Sequence, residues 1–185
     1  MGSQTVKRGT NITQVVPSWA YNPDDITAQT LSGPNAVQPL LSERTQTITG
    51  LSITTNTTWG IDGIHPDGDS HCEFNLKFCN SILWGRSSDS NIDTIAEMDA
   101  LPGDDITCNW RNTYSFAASG TSGYIYFCIP VADGAIVSWL DAGDYDVPYV
   151  NLGTISYTND LGHTEDYQRF RTFNEVFGSV IYTIS

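Results

Sequence analysis

The sequence predicts an all-β protein with one short helix, and three observations support this class. The acidic residues are 16 Asp and only 5 Glu, and Asp favours turns and helix caps whereas Glu favours helix interiors. The chain also contains 16 Gly and 8 Pro, the residues that most often interrupt helices and form turns. Several segments alternate apolar and polar residues with the period of a strand. Together these features predict many short strands joined by tight turns.

The first strand signals lie in the N-terminal half of the chain. The segment "TQTITGLSITTNTTWGIDG" (45–63) is rich in β-branched residues, and "HCEFNLKFC" (71–79) alternates cleanly. Between them, "DGIHPDGDS" is full of turn formers and predicts a hairpin loop. Further along, "TNDLGHT" (158–164) predicts a hairpin turn between two strands. The alternation in the second strand predicts that these side chains point inward: Cys72, Phe74, Leu76 and Phe78.

One segment has the pattern of a helix. In "SNIDTIAEMDALPG", Ser90 and Asp93 predict a capping box at the start, and Pro102-Gly103 predicts the end. We therefore expect a helix over residues 91–101. Its apolar residues recur at every third position and form a short stripe that would pack on a sheet: Ile92, Ile95, Met98 and Leu101.

The run Tyr124–Ile129 is apolar at every position, which predicts a strand that is covered on both faces. Pro130 should end the hydrogen-bond ladder of this strand, and Gly134 should permit the turn that follows. We call residues 130–139 the elbow. The expectation is that the elbow folds its apolar side chains back onto the sheet, namely Ile136, Val137 and Trp139.

Charge excludes two classes of partner. The chain has 8 Lys+Arg against 21 Asp+Glu, for a formal net charge of −13. Such a surface repels phosphate, so we expect neither nucleic acid nor an anionic membrane as a partner. The sequence also contains no apolar run long enough to span a bilayer.

The motifs that could support chemistry are weak. The best metal candidate, "HPDGDSHCE", places His65, Asp67, Asp69, His71 and Cys72 close together, but turn formation explains these residues without a metal. There is no G-x-S-x-G and no glycine-rich phosphate loop. A Ser–His–Asp triad is possible in any chain with 3 His and 16 Asp, so its residues alone indicate nothing. We expect no enzyme activity, no cofactor and no bound metal.

The cysteines and tryptophans are expected to be structural. Cys72 and Cys79 lie on opposite faces of one strand and cannot bridge each other. For all four cysteines, which include Cys108 and Cys128, the favoured interpretation is a buried free thiol in a reduced compartment, and disulfides are the alternative. Four tryptophans adjoin apolar or turn residues, so core filling is favoured over stacking on sugar rings: Trp59, Trp84, Trp110 and Trp139.

The order of the segments resembles a domain of tailed-bacteriophage virion proteins. In that family an aromatic–Gly strand end, here Leu83-Trp84-Gly85, precedes a short helix. A "YIYYAYP-x-x-x-G" strand and elbow, here Tyr124 to Gly134, comes next, followed by a "D-V" strand, here Asp146-Val147. Upstream, "SWAYNPDDITAQTLSG" and "TQTITGLSITTNTTWGIDG" are similar to the Ig-like half of the family. The resemblance covers most of residues 17–185, although "FCIP" and "YQRFR" depart from the family pattern.

The resemblance implies a domain division. Residues 1–16 are polar and have no period, so they are expected to form an N-terminal arm. An Ig-like β-sandwich would follow over 17–80, and a mainly β domain with one short helix over 81–185. In the arm, Lys7 and Arg8 are the candidates for contacts with an acidic surface of a neighbouring copy.

The function that the resemblance implies is structural. The chain would be a non-enzymatic unit of a tail fibre, head fibre, decoration or adaptor on the outside of the virion, made in the host cytoplasm. Its partners would be copies of itself and other virion proteins. The alternative is a carbohydrate- or receptor-binding β-sandwich that recognises a host-surface glycan or another receptor.

Overall fold

The computed structural model describes residues 2–21, 25–117, 120 and 122–185. Strands dominate these residues, and the predicted all-β class is confirmed. The chain divides into two compact units, Met1–Phe78 and Cys79–Ser185. This division lies two residues before the predicted boundary between residues 80 and 81.

The first unit is built like a β-sandwich from two sheets. One sheet has four strands in the order β1-β6-β5-β3, and the other consists of β2 and β4. Side chains from both sheets form one buried core, at the centre of which Trp59 and Ile61 are completely buried. The strands are β1 Ser3–Lys7, β2 Ile12–Val15, β3 Ala28–Ser32, β4 Ile48–Ile53, β5 Thr57–Ile64 and β6 Ser70–Cys79.

The β5–β6 pair forms as predicted. The two strands are antiparallel, with Trp59 opposite Phe74 and Gly63 opposite Ser70, and residues 65–69 make the hairpin loop. In β6, Leu76 and Phe78 are buried while Lys77 is exposed, so the predicted alternation is confirmed. The period of two in the sequence thus sets which face of this sheet is covered.

The described part of the predicted arm, residues 2–16, does not form a separate arm, and the arm prediction is wrong for this structure. Strand β1 pairs with β6, and β2 pairs with β4 in an antiparallel register that places Val15 opposite Ile48. Val15 is buried, and Val6 and Ile12 pack against the same core. The sequence is polar here because β1 is an edge strand with most of its side chains in solvent.

The second unit contains a five-stranded sheet in the order β12-β13-β10-β7-β8 and a three-stranded sheet in the order β11-β14-β9. The hairpin predicted over residues 158–164 is confirmed, because these residues connect β12 and β13. The elements are β7 Ser81–Ser87, α1 Ile95–Asp99, β8 Gly103–Ile106, β9 Asn112–Phe116, β10 Tyr124–Pro130, a 3-10 turn Val131–Asp133, β11 Trp139–Asp141, β12 Tyr149–Thr158, β13 Thr164–Thr172 and β14 Val180–Ile184.

Strand β10 is the interior strand that the apolar run predicts. It lies between β7 and β13, with Tyr126 opposite Gly85 on one side and Arg171 on the other. Ile125 and Phe127 face the core between the two sheets, and Cys128 and Tyr126 belong to a second core on the opposite face. Both faces are therefore covered, which explains why no position in the strand is polar.

The second core is covered by the segment around α1, which is shorter than predicted. The helix spans Ile95–Asp99 instead of residues 91–101, and its capping box consists of Thr94 and Glu97 rather than Ser90 and Asp93. Of the predicted stripe, Ile95 is 37% exposed. The other three stripe residues, Ile92, Met98 and Leu101, are buried against the sheet.

The second unit also contains a disulfide that contradicts the prediction of four free thiols. Cys79 and Cys108 are bonded, with their Cα atoms 5.1 Å apart, which is in the ordinary range for a disulfide. The two residues are 29 positions apart, so their proximity depends on tertiary structure and not on a local motif. Cys72 and Cys128 are free thiols, as expected.

Candidate functional site

An open groove of about 450 Å³ lies on the surface of the second unit. It runs between the turn that follows β11 and the strand β14, and Ile181, 46% exposed, lies on its apolar side. The lining residues are Asp141, Ala142, Gly143, Val147, Ser179, Val180, Ile181 and Tyr182. We call this groove, together with Tyr145, whose ring lies against Gly143, and Phe177, which precedes Ser179 by two residues, the groove surface.

The turn on one side of the groove is held by its own side chains. A carboxylate oxygen of Asp141 accepts hydrogen bonds from the backbone N–H groups of Gly143 and Tyr145, at 2.8 and 3.0 Å. Asp144 has a φ of 60°, a left-handed conformation that Asp tolerates in turns. Asp146, predicted to lie in a strand, makes an isolated bridge with Leu140 instead. These hydrogen bonds stabilise the turn in a conformation in which the Tyr145 ring is exposed to solvent.

Two large side chains are exposed in or next to the segments of the chain that line the groove. Tyr145 is 73% exposed, and its ring lies against Gly143 in the wall of the groove. Phe177, two residues before the lining residue Ser179, is 74% exposed. An exposed aromatic ring in the wall of a groove with apolar lining residues is typical of an interaction site.

The tryptophans do not contribute to this surface. Four of the five tryptophans are buried in the cores: Trp19, Trp59, Trp110 and Trp139. Trp84 is partly buried, and its indole N–H donates a hydrogen bond to Asp105. The predicted role of tryptophan as core filling is confirmed.

The elbow connects β10 to β11, the strand of the three-stranded sheet that precedes the turn beside the groove. Pro130 is the last residue of β10, and Gly134 has a φ of 104°, which favours glycine at this turn. Trp139 then begins β11 and is 1% exposed among the rings of the inter-sheet core. Ile136 is buried as expected, but Val137 is 77% exposed, so its predicted inward orientation is wrong. The elbow therefore packs through two of its three apolar side chains.

Lys7 and Arg8 lie at the end of β1, where the chain turns toward β2. Lys7 is half-buried and Arg8 is exposed. Arg8 lines a separate groove of about 280 Å³ in the first unit together with Thr54, Thr55, Asn56 and Phe78. Their predicted contact with a neighbouring copy stays a prediction.

The residues of "HPDGDSHCE" are spread around the β5–β6 hairpin. His71 makes a 2.6 Å hydrogen bond with Asp62 across the two strands and lies 3.6 Å from Glu73. The Asp62 carboxylate, and then that of Glu73, raise the pKa of His71 above its ordinary value. Asp67 and Asp69 are exposed in the loop. Within the described residues, no group of three or more His, Cys, Asp and Glu side chains could hold a metal ion.

Of two buried groups in the second unit, the Cys128 thiol was predicted from the sequence and Arg169 was not. Arg169 on β13 is only 7% exposed, and its guanidinium donates to the carbonyls of Ile92 and Leu152 and pairs with Asp93 at 2.9 Å. Through its contacts with Ile92 and Asp93, Arg169 therefore holds the segment around α1 against the sheet. Nearby, burial raises the pKa of the Cys128 thiol to about 12, which keeps it protonated and unreactive.

The chain matches no known protein-family model, and a comparison with curated proteins found no match either. In the part of the chain that the structure describes, no helix is both long and apolar enough to cross a membrane.

Proposed function

We propose that the chain is a structural protein of a bacteriophage virion, a unit of an external fibre, appendage or capsid decoration that works by assembly. The observation on which this proposal depends is the groove surface. Tyr145 is 73% exposed in the wall of a groove that Ile181 lines, and Phe177, close to the lining residues in the sequence, is 74% exposed; exposed apolar and aromatic side chains around a concave surface are typical of an interaction site.

The partner that fits this surface is a copy of the chain or another virion protein. An apolar side chain such as Ile181 or Val180 would gain about 25 cal/mol for each Å² that a partner removes from water. The net charge of −13 keeps such a unit soluble and away from the packaged genome. The disulfide is compatible with this location, because disulfides persist on virion surfaces. We assign the first unit to the Ig-like type on the resemblance of its sequence alone.

A second candidate function is recognition of a host-surface glycan or receptor. The observation that favours it is the exposed ring of Tyr145 beside the carboxylate of Asp141, since sugars stack on aromatic faces and bond to carboxylates. Against it, all five tryptophans lie in the described part of the chain and are buried or partly buried.

Two matched variants test assembly through the groove surface. Ile181→Glu places a charge in the groove, and Ile106→Glu places the same charge on β8, outside it; the two wild-type side chains are 46% and 44% exposed. We expect the mass in solution to show an oligomer for the wild type and Ile106→Glu, and a monomer for Ile181→Glu. An oligomer that survives Ile181→Glu would mean that assembly uses another surface.

The virion assignment needs its own measurement. Antibodies against the purified chain should label the outside of phage particles grown on the host, in electron micrographs. Particles that contain the chain only inside, or not at all, would refute the assignment whatever the oligomeric state. Binding of soluble glycans by the wild type, lost in Tyr145→Ala, would favour the second candidate.

A further inference from the structure

Three polar side chains in the first unit form a hydrogen-bonded chain at one end of the β5–β6 hairpin. The Asp25 carboxylate lies 3.2 Å from Nδ1 of His65, and Nε2 of His65 lies 3.1 Å from Oγ of Ser70. We call this arrangement the relay. Neither contact enters the assembly role proposed above.

The fold brings the relay together from distant positions in the sequence. His65 follows the last residue of β5, and Ser70 is the first residue of β6, so the hairpin places them on either side of its loop. The His65 side chain is only 8% exposed, and the edge of the Tyr21 ring packs against it at 5.4 Å between centroids. A β-carbon at Gly63 would collide with the Tyr21 ring, so the close approach requires glycine there.

The partners of a neutral His65 set the direction of both hydrogen bonds. An ionised carboxylate can only accept, so Nδ1 of His65 must carry the proton that is shared with Asp25. In neutral imidazole the other nitrogen, Nε2, is then the acceptor, and Ser70 must donate its hydroxyl proton to it. The carbonyl of Gly63 is the other acceptor in reach of this hydroxyl, but it lies farther away, at 3.5 Å. The Ser70 proton is therefore directed at a base that a carboxylate orients.

This geometry meets the requirements for an activated nucleophile. The distance between hydroxyl and base lies within the about 2.6–3.2 Å that proton transfer needs, and a third group orients the base. A cavity of about 100 Å³ opens beside the pair, lined by Ala20, Tyr21, His65, Ser70, His71 and Cys72. It is much smaller than the roughly 300–1,000 Å³ of sites for drug-sized ligands, so it admits only a small acyl group.

We propose that Ser70 is a nucleophile toward esters of small acyl groups, with His65 as its general base and Asp25 as the residue that positions His65. Oγ of Ser70 attacks the ester carbonyl as its proton passes to Nε2 of His65, and a new O–C bond forms. The bond from the acyl carbon to the alcohol oxygen then breaks, and the alcohol leaves with the proton from His65. The product is an O-acyl serine, which water can hydrolyse by the same path in reverse.

The test is to treat the full chain with p-nitrophenyl acetate and to map the acetylated residue by mass spectrometry of its peptides. We expect one acetyl group, on Ser70, and none at this peptide in Ser70→Ala. His65→Gln should slow the acetylation of Ser70 by about 10²-fold or more, which is the usual contribution of a general base. Asp25→Asn should slow it less, because the Asp25 side chain is 54% exposed and water can replace it in part.

His163→Gln is the control, since His163 is on the second unit and outside the relay. It should acetylate at the wild-type rate. Thermal melting of each variant identifies any that fails to fold, and the mapping of the wild type needs no variant at all. The proposal is overturned if the wild type is not acetylated at Ser70, or if folded His65→Gln reacts at the same rate.

Discussion

Replacing Trp139 with alanine should strongly destabilise the second unit. The indole is 1% exposed, and three rings surround it: Phe127 at 5.3 Å, Tyr149 at 5.7 Å and Tyr182 at 5.7 Å between centroids. Truncation would leave a cavity between the two sheets that a close-packed core cannot collapse to fill. Replacements of this kind cost about 3–5 kcal/mol, a large part of the roughly 5–15 kcal/mol that stabilises a domain.

The assay is thermal unfolding followed by circular dichroism. For a unit of about a hundred residues, each kcal/mol shifts the Tm by roughly 4–8 °C, so Trp139→Ala should lower the Tm by more than about 10 °C. Val137→Ala is the matched control, because Val137 lies two residues away and is 77% exposed. It should change the free energy of unfolding by less than about 0.5 kcal/mol. If Trp139→Ala melts within about a degree of the wild type, the packing of the elbow is not as described.

A second substitution at the same position separates the effect of lost side-chain volume from the effect of the buried indole N–H donor. The indole N–H of Trp139 is buried and has no hydrogen-bond partner among the described residues, and an unsatisfied buried donor costs about 1–3 kcal/mol. Trp139→Phe removes that donor and retains an aromatic ring. We expect it to lower the Tm by less than half as much as Trp139→Ala, and an equal loss would show that the N–H is satisfied in solution.

Three further predictions concern other parts of the chain. Reduction of the Cys79–Cys108 disulfide, which closes a loop of about 30 residues, should cost the second unit about 3–4 kcal/mol, and melting with and without a reductant checks this. Asp62→Asn should lower the pKa of His71 in an NMR titration, because the Asp62 carboxylate is the main cause of its raised value. The raised pKa means that protonated His71 makes a small contribution to the stability of the folded state. This contribution is present at low pH and is lost as the pH rises through the pKa of the folded state. Deletion of residues 2–8 removes β1 and should lower the Tm of the first unit, whereas an unchanged Tm would indicate that β1 does not pair in solution.

The features that could be predicted from the sequence depend on periodicity and on special residues. The apolar run of β10 is short and is ended by Pro130, which favours a strand covered on both faces, and the alternation in β6 assigns its inward residues. Pro130 and Gly134 mark the elbow because one lacks a backbone donor and the other accepts positive φ. In each case the signal, either a pattern over neighbouring residues or one residue with a restricted backbone, is local in the sequence, so the local structure follows from it.

The features that could not be predicted depend on pairs that are distant in the sequence. The Cys79–Cys108 bond and the contact between Asp25 and His65 join positions whose proximity only the folded sheets create. Arg169 is a similar case, since an arginine in a strand is usually exposed and becomes buried here because Asp93 and two carbonyls satisfy it. In all three cases the sequence shows which groups are present, but it does not show the distances between them in the folded protein.

The polar N-terminus shows why composition can misassign a strand. An edge strand such as β1 is held by backbone hydrogen bonds, so its side chains need no apolar period, and Val6 alone is enough to reach the core. Because β1 and β2 are already paired within the first unit, transferring them to the sheet of a neighbour would first require breaking those pairs, whereas the outer edge of β1 could accept a partner strand without any such change. The exposed rings of Tyr145 and Phe177 need no such rearrangement before they meet a partner. Assembly through the groove surface therefore has a lower cost than exchange of the N-terminal strands, and this is why our proposal places the docking surface on the second unit.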